Sequence, residues 1–257
     1  MELRFAAASD CGRVRPHNED RFVANGDLRF FLVADGMGGA VAGELASSSI
    51  AETTTAFIRD TVDDRDRTWP FGLDPKLSLA ANRLQVAIRG ANRALGAMVQ
   101  GDATLSGTGA TLAAALFADS QVSVANVGDC RAYLLRGGAL TQITQDHSLV
   151  AEQVALGLLN AEEARRHPLR HVVTRAVSGD ASMVVDIQEL AILPSDRLLL
   201  CSDGIHGAFT DEELATIIAP ADAGMEETCR ELIAQANARG GADNATVILI
   251  EAGGAAT

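Results

Sequence analysis

Two periodicities share this chain, and they predict different elements. Short runs rich in Val, Leu and Phe, bounded by Gly, Asp or Asn, cover residues 29–34, 110–118, 122–127, 132–135, 198–201 and 246–250. Each has the length of a buried strand. Between Leu135 and Leu140 the sequence reads Arg-Gly-Gly-Ala, and because both glycines tolerate positive φ it predicts a two-residue hairpin turn joining antiparallel strands. Residues 42–58 and 77–99 are Ala-rich, and Leu79, Leu84, Ile88, Ala91, Leu95 and Met98 fall on one face of a helix. A second helical block covers 212–218 and 225–238, with Thr210 as N-cap and Glu213 as its capping-box partner. The polar stretch 60–75 is expected to loop between the two long helices. The segment 145–180 carries charges, His147, His167, His171 and Pro168 but little periodicity, and is expected to form a surface flap. Strands grouped between helices near both ends predict an α+β layered domain with β-sheets packed together and helices outside, and the length fits one large domain or two small ones.

Composition narrows the function. Apolar residues make up 47% of the 257, which excludes intrinsic disorder. The chain has 34 acidic against 21 basic side chains, a formal charge of −13, and its only lysine is Lys76. Partners bound through phosphate neutralisation need a basic face, so nucleic acid and anionic membrane are excluded as partners. No apolar stretch approaches the roughly 20 residues of a membrane span. Cys11, Cys130, Cys201 and Cys229 form no C-x-x-C pair, which fits reduced thiols better than a disulfide framework or a zinc site. With no secretory hydrophobic region after Met1, the protein is expected in the cytoplasm.

The chemistry lies in the placement of aspartates. Asp35, Asp129 and Asp203 each follow an apolar run, and Asp243 stands just before the last one. Carboxylates gathered at the mouths of neighbouring strands repel one another unless a cation lies between them, and hard oxygen donors suit Mg²⁺ or Mn²⁺. Gly36 and Gly204 follow two of these acids, and a sharp turn at Gly36 would bring its backbone carbonyl toward the same cation. Near the N-terminus, Arg13 and Arg15 precede Glu19 and Asp20, so a guanidinium fork that matches phosphate oxygens adjoins two further acids.

Six short motifs occur in a recognisable order: the segment 9–20, Asp35-Gly36-Met37-Gly38-Gly39, Gly107-Thr108-Gly109-Ala110-Thr111, Val127-Gly128-Asp129-Cys130-Arg131, Ser202-Asp203-Gly204 and Asp243-Asn244-Ala245-Thr246. In this order the chain resembles the metal-dependent PP2C (PPM) protein phosphatases in their compact bacterial Ser/Thr form. The resemblance implies a single catalytic domain over residues 1–257, a four-layer α-β-β-α sandwich of two antiparallel sheets with a metal centre at one end. It implies that Asp35 bridges two Mg²⁺ or Mn²⁺ ions, that Gly36 offers its carbonyl, and that Asp203 and Asp243 hold the first ion. Asp20, with Glu19, would reach the second, and Asp129 would share a third, weaker ion with Asp203. Arg15 would grip the substrate phosphate, with Arg13 exposed. The implied reaction is attack of an activated water on phosphoserine or phosphothreonine in proteins, opposing a Hanks-type Ser/Thr kinase. Eukaryotic relatives have His where this chain has Met37, and a thioether cannot donate a proton. His147, His167 and His171 are expected at the surface or in hydrogen bonds, His206 lies nearer the centre, and Thr108 and Thr111 have strand and packing roles.

Overall fold

A computed structural model describes residues 1–62, 69–220 and 224–253. Three apolar clusters set its layers. The first packs helices α1 (Ala40–Thr61) and α2 (Leu79–Gly101) on one sheet, the second lies between two sheets, and the third packs α6 (Asp211–Ile218) and α7 (Met225–Ala238) on the other sheet. The result is the four-layer α-β-β-α sandwich. One sheet has the order β2 (Asp20–Asn25), β3 (Phe30–Met37), β4 (Gly109–Ala118), β5 (Gln121–Val127), β8 (Asp186–Ala191). The other runs β1 (Leu3–Asp10), β10 (Ala245–Ala252), β9 (Arg197–Cys201), β6 (Arg131–Arg136), β7 (Ala139–Gln142). Every ladder is antiparallel.

Central strands are apolar on both faces because each face has its own core. On β3, Phe30, Leu32 and Ala34 point toward α1 and α2, while Phe31 and Val33 point between the sheets. Val247 and Leu249 of β10 meet the helices, and Ile248 and Ile250 the opposite sheet. That is why these strands read as continuous apolar runs instead of alternating ones. Gly137 and Gly138, at φ 57° and 84°, close the β6–β7 hairpin as the Gly-Gly pair predicts. Thr210 accepts from the Glu213 N–H while the Glu213 side chain accepts from the Thr210 N–H, completing the expected capping box. Ser78 caps α2 by accepting from the Ala81 N–H.

The structure departs from the sequence reading in three places. Strands β1, β2 and β8 carry partly exposed residues and lie at sheet edges, so their apolar signal is diluted. Strand β3 continues to Met37, which places Asp35 and Gly36 inside the strand, paired with Thr111 and Ala110, and not beyond its end. The flap contains two short helices, α3 (Leu149–Ala155) and α4 (Ala161–Arg166), and is stitched to the body where Ala110 pairs with Val177. Of the loop expected at 60–75, residues 63–68 lie outside the described residues, and Trp69 packs on Phe57 at 5.8 Å. Among the described residues no helix is long and apolar enough to cross a membrane.

Candidate metal centre

Alternation along β3 carries the carboxylates to the site. Phe31 and Val33 face the inter-sheet core, so Asp35, two residues on, projects into the same gap at its open end. Asp20 is its direct cross-strand partner on β2, and Thr111 flanks it on β4. The facing sheet supplies Ser202, whose hydroxyl donates to Asp20 Oδ2 at 2.7 Å and accepts from the Thr246 N–H at 3.0 Å. Asp203 opens the short helix α5 (Asp203–His206) immediately after β9.

The depression is rimmed by the 11–19 loop. Asn244 fastens this loop to β10: its amide donates to the carbonyls of Cys11 and His17, 2.9 Å each, and its side-chain oxygen accepts from the Glu19 N–H at 2.8 Å. Arg15 consequently reaches Asp243, donating from Nη2 to Oδ2 at 2.7 Å. Arg13 stands exposed beside Gly241. Glu19 lies over Gly43 in the first turn of α1, where a Cβ would overlap its carboxylate. A Cβ on Gly36 would likewise overlap the Gly43 carbonyl oxygen, so α1 can approach β3 this closely only with glycine at both positions. Gly36→Ala is expected to lower the unfolding free energy by about 3 kcal/mol through overpacking, read as a drop in urea midpoint; an unchanged midpoint would refute that steric account.

Electrostatics mark the centre as short of positive charge. Burial pushes the Asp20 carboxyl up to about 6, against hydrogen bonds from Thr246 and Ser202 that pull it down. Asp35 and Asp203 are held well above the carboxylate range, first by desolvation and then by neighbouring acids; Asp20 is the foremost of these for Asp35, and Asp129 for Asp203. Asp129 is raised to about 6 by burial and by Asp146. Asp20 Oδ1 and Asp203 Oδ1 are buried and find no hydrogen-bond partner among the described residues. Buried oxygens without donors are costly, and a hard cation is the ligand that such a set accommodates. Among the described residues no three His, Cys, Asp or Glu side chains close around one point as they stand. Ser202 occupies Asp20 Oδ2, and Arg15 occupies Asp243 Oδ2. The residues therefore fit divalent cations by chemistry and by unsatisfied oxygens.

The histidines separate into distinct roles. His147 is buried; its Nδ1 accepts from the Gly128 N–H at 3.0 Å, and its Nε2 lies 3.0 Å from Asp186. His206 Nε2 lies 3.0 Å from the Asp129 carbonyl oxygen. The His167 ring accepts from the Leu169 N–H, whereas exposed His171 comes within 4.0 Å of Asp203 Oδ2. Thr111 faces Cys130 Sγ at 3.2 Å, and the Thr108 hydroxyl is buried without a partner among the described residues. Met37 ends β3 with its methyl group close to Gly109. The four cysteines are free thiols, three of them buried. Sequence reading missed Ser202 and Asn244 as fasteners of the site. Their motifs were visible, but their hydrogen bonds span 182 and 225 residues.

Two antiparallel sheets that offer carboxylates to a common gap, flanked by helices and rimmed by an arginine, define the class of the metal-dependent phosphatases. The sequence model described as "Protein phosphatase 2C" matches residues 13–244, and the chain belongs to that family. It is 35% identical over 254 residues to the serine/threonine phosphatase stp of Listeria monocytogenes serotype 4b (strain F2365), covering 95% of this chain and 93% of the relative. It is 38% identical over 252 residues to the serine/threonine protein phosphatase PstP of Mycobacterium tuberculosis (strain H37Rv), covering 98% of this chain but 45% of that longer protein. The crystal structure of the M. tuberculosis phosphatase PstP/Ppp superposes with a TM-score of 0.87 at 35% identity, covering 99% of this chain and 100% of that one. The PstP catalytic domain in complex with two manganese ions gives a TM-score of 0.83 at 35% identity, covering 98% and 99%.

Proposed function

We propose that this protein is a metal-dependent phosphoprotein phosphatase that hydrolyses phosphoserine and phosphothreonine. The observation that carries this reading is the pair of buried oxygens on Asp20 and Asp203 that find no hydrogen-bond partner among the described residues, set among acids that raise one another's proton affinity beside Arg15. Asp35, central in the gap, would serve both cation positions. Asp203 and Asp243, with the Gly36 carbonyl, would hold one, and Asp20, helped by Glu19, the other. Asp129 and Asp203 would share a third. Bound there, Mg²⁺ or Mn²⁺ supplies Lewis acidity and an activated water.

The chain's own residues position the substrate. Arg15 presents a planar fork that suits two phosphate oxygens, and the phosphate would take over the place now held by Asp243. Asn244 keeps the arginine loop from drifting, since it ties that loop to β10 at three points. The thiols stand apart from the reaction: burial pushes the Cys130 thiol well above its usual range, so it offers no thiolate nucleophile. Met37 supplies no proton, so the leaving alkoxide takes its proton from another residue or from a water held at the centre. The substrates are phosphoproteins made by a Hanks-type Ser/Thr kinase in the cytoplasm, a compartment consistent with four free thiols.

Turnover of a phosphothreonine peptide and of p-nitrophenyl phosphate should require added Mn²⁺ or Mg²⁺ and stop with chelator; turnover without metal would overturn the reading. Arg15→Ala is expected to lower kcat/KM for the peptide by tenfold to a hundredfold, mainly through KM. That range corresponds to about 1.5–3 kcal/mol for hydrogen bonds to a charged partner. Steady-state kinetics check it, and an unchanged KM would remove Arg15 from phosphate binding.

A further inference from the structure

The β5–β6 turn that carries Asp129 is gripped by two imidazoles from different elements. On one side His147, at the root of the flap, accepts from the Gly128 N–H and also donates its own backbone N–H to the Gly128 carbonyl at 2.9 Å. On the other side His206 Nε2 stands 3.0 Å from the Asp129 carbonyl oxygen. A carbonyl only accepts, so the proton of His206 is on Nε2, and burial keeps the ring neutral by pushing its pKa down to about 3.

His206 is the last residue of α5, and Asp203 is the first. One short helix thus carries a carboxylate and the donor that holds the backbone of a second carboxylate. The helix is a firm base: Ile205 is fully buried, and a Cβ on Gly204 would overlap the Asn244 carbonyl oxygen. The turn needs such a tie. Gly128 has φ 100°, a conformation that only glycine adopts freely, and Asp129 and Asp203 repel each other when both are ionised.

We propose that His206 is a positioning residue for the metal centre: by tying the Asp129 carbonyl to the helix that bears Asp203, it sets the spacing of these two carboxylates and the affinity of the cation position they share. This rests on the reading of both aspartates as metal donors. Groups that orient ligands from outside the coordination sphere typically change metal affinity by 10–100-fold. His206→Met, which keeps the bulk and loses the donor, is therefore expected to weaken the weakest Mn²⁺-binding step about tenfold. His206→Gln, whose amide reaches a similar distance, should stay within about threefold of the unmodified protein.

The test is a Mn²⁺ titration of the metal-free protein, with free Mn²⁺ counted by electron paramagnetic resonance and folding checked by thermal denaturation in chelator. Should His206→Met fail to fold, His206→Asn, whose amide is too short to reach the carbonyl, replaces it in the comparison with His206→Gln. Selective weakening in the donor-less variant with rescue by Gln supports the proposal. Coincident isotherms, or equal weakening in His206→Gln, overturn it. Absence of Mn²⁺ binding in the unmodified protein would instead overturn the metal-centre reading on which it rests.

Discussion

Asp35→Asn is expected to abolish metal-dependent turnover and, at the same time, to stabilise the metal-free protein. Asp35 lies opposite Asp20 in the β2–β3 register and between the two sheets, which is the placement that supports the proposed service to two cation positions. Loss of its charge should lower kcat about 10³-fold or more, about 4 kcal/mol of barrier. The stability change has the opposite sign. In the metal-free protein the Asp35 carboxylate is buried among Asp20, Asp203, Asp129 and Asp243, each of which disfavours its ionised form. An isosteric amide removes that repulsion and can donate to Asp20. The thermal midpoint in chelator should rise by several degrees, since about 1 kcal/mol moves a chain of this size by roughly 2–4 °C. Full activity in the variant would remove Asp35 from the centre, and a lower midpoint in chelator would refute the account of buried repulsion.

The second large effect concerns pH. Asp20 and Asp129 are raised to about 6, and burial and neighbouring acids hold Asp35 and Asp203 well above the 3.8 of an ordinary aspartate. From about pH 4 upward the native state therefore holds more protons than the unfolded chain, and stability falls as pH rises through the folded values. His206 acts the other way. Its folded value of about 3 means that the unfolded chain gains a proton below about 6.5 while the native state does not. Burial lowers His171 as well and raises Glu19, so two imidazoles stand against five carboxylates and the carboxylates dominate. Carboxylates with lowered values, such as Glu213 beside Arg239 at about 2, titrate below this window. The metal-free protein should accordingly be more stable at pH 5 than at pH 8. With saturating Mn²⁺ the slope should invert, because protons then compete with the cation for the same oxygens. Urea unfolding at both pH values, with and without Mn²⁺, measures this; a metal-free protein more stable at pH 8 would contradict the arrangement of the acids.

Much of this was legible in the chain because it depends on neighbours in sequence. The Thr210–Glu213 capping box, the Gly137-Gly138 turn and the apolar face of α2 are set within a few residues; the structure contains the first two and buries Leu84, Ile88, Ala91 and Leu95 of the third, while Leu79, at the first turn, is exposed and Met98 is only partly buried. Central strands declared themselves by apolar runs, since burial on both faces leaves no polar alternation to confuse the reading. Edge strands β1, β2 and β8 did not, because partly exposed faces admit polar residues. The aspartates were visible too, but their environment was not. Whether a carboxylate has a donor, an ion pair or an empty neighbouring volume depends on groups far away in the chain: Ser202 for Asp20, Arg15 for Asp243, Asp129 for Asp203.

The sequence alone determined the elements, the acidic character of the centre and, through motif order, the family. Periodicity and turn chemistry are local properties of the backbone. Tertiary structure decided which side chains meet. Register opposed Asp20 to Asp35, extended β3 through Gly36, and placed His206 against the Asp129 turn. A strand knows locally which face each residue occupies, but what lies across that face is set by sheet order and layer packing, which only the folded chain supplies.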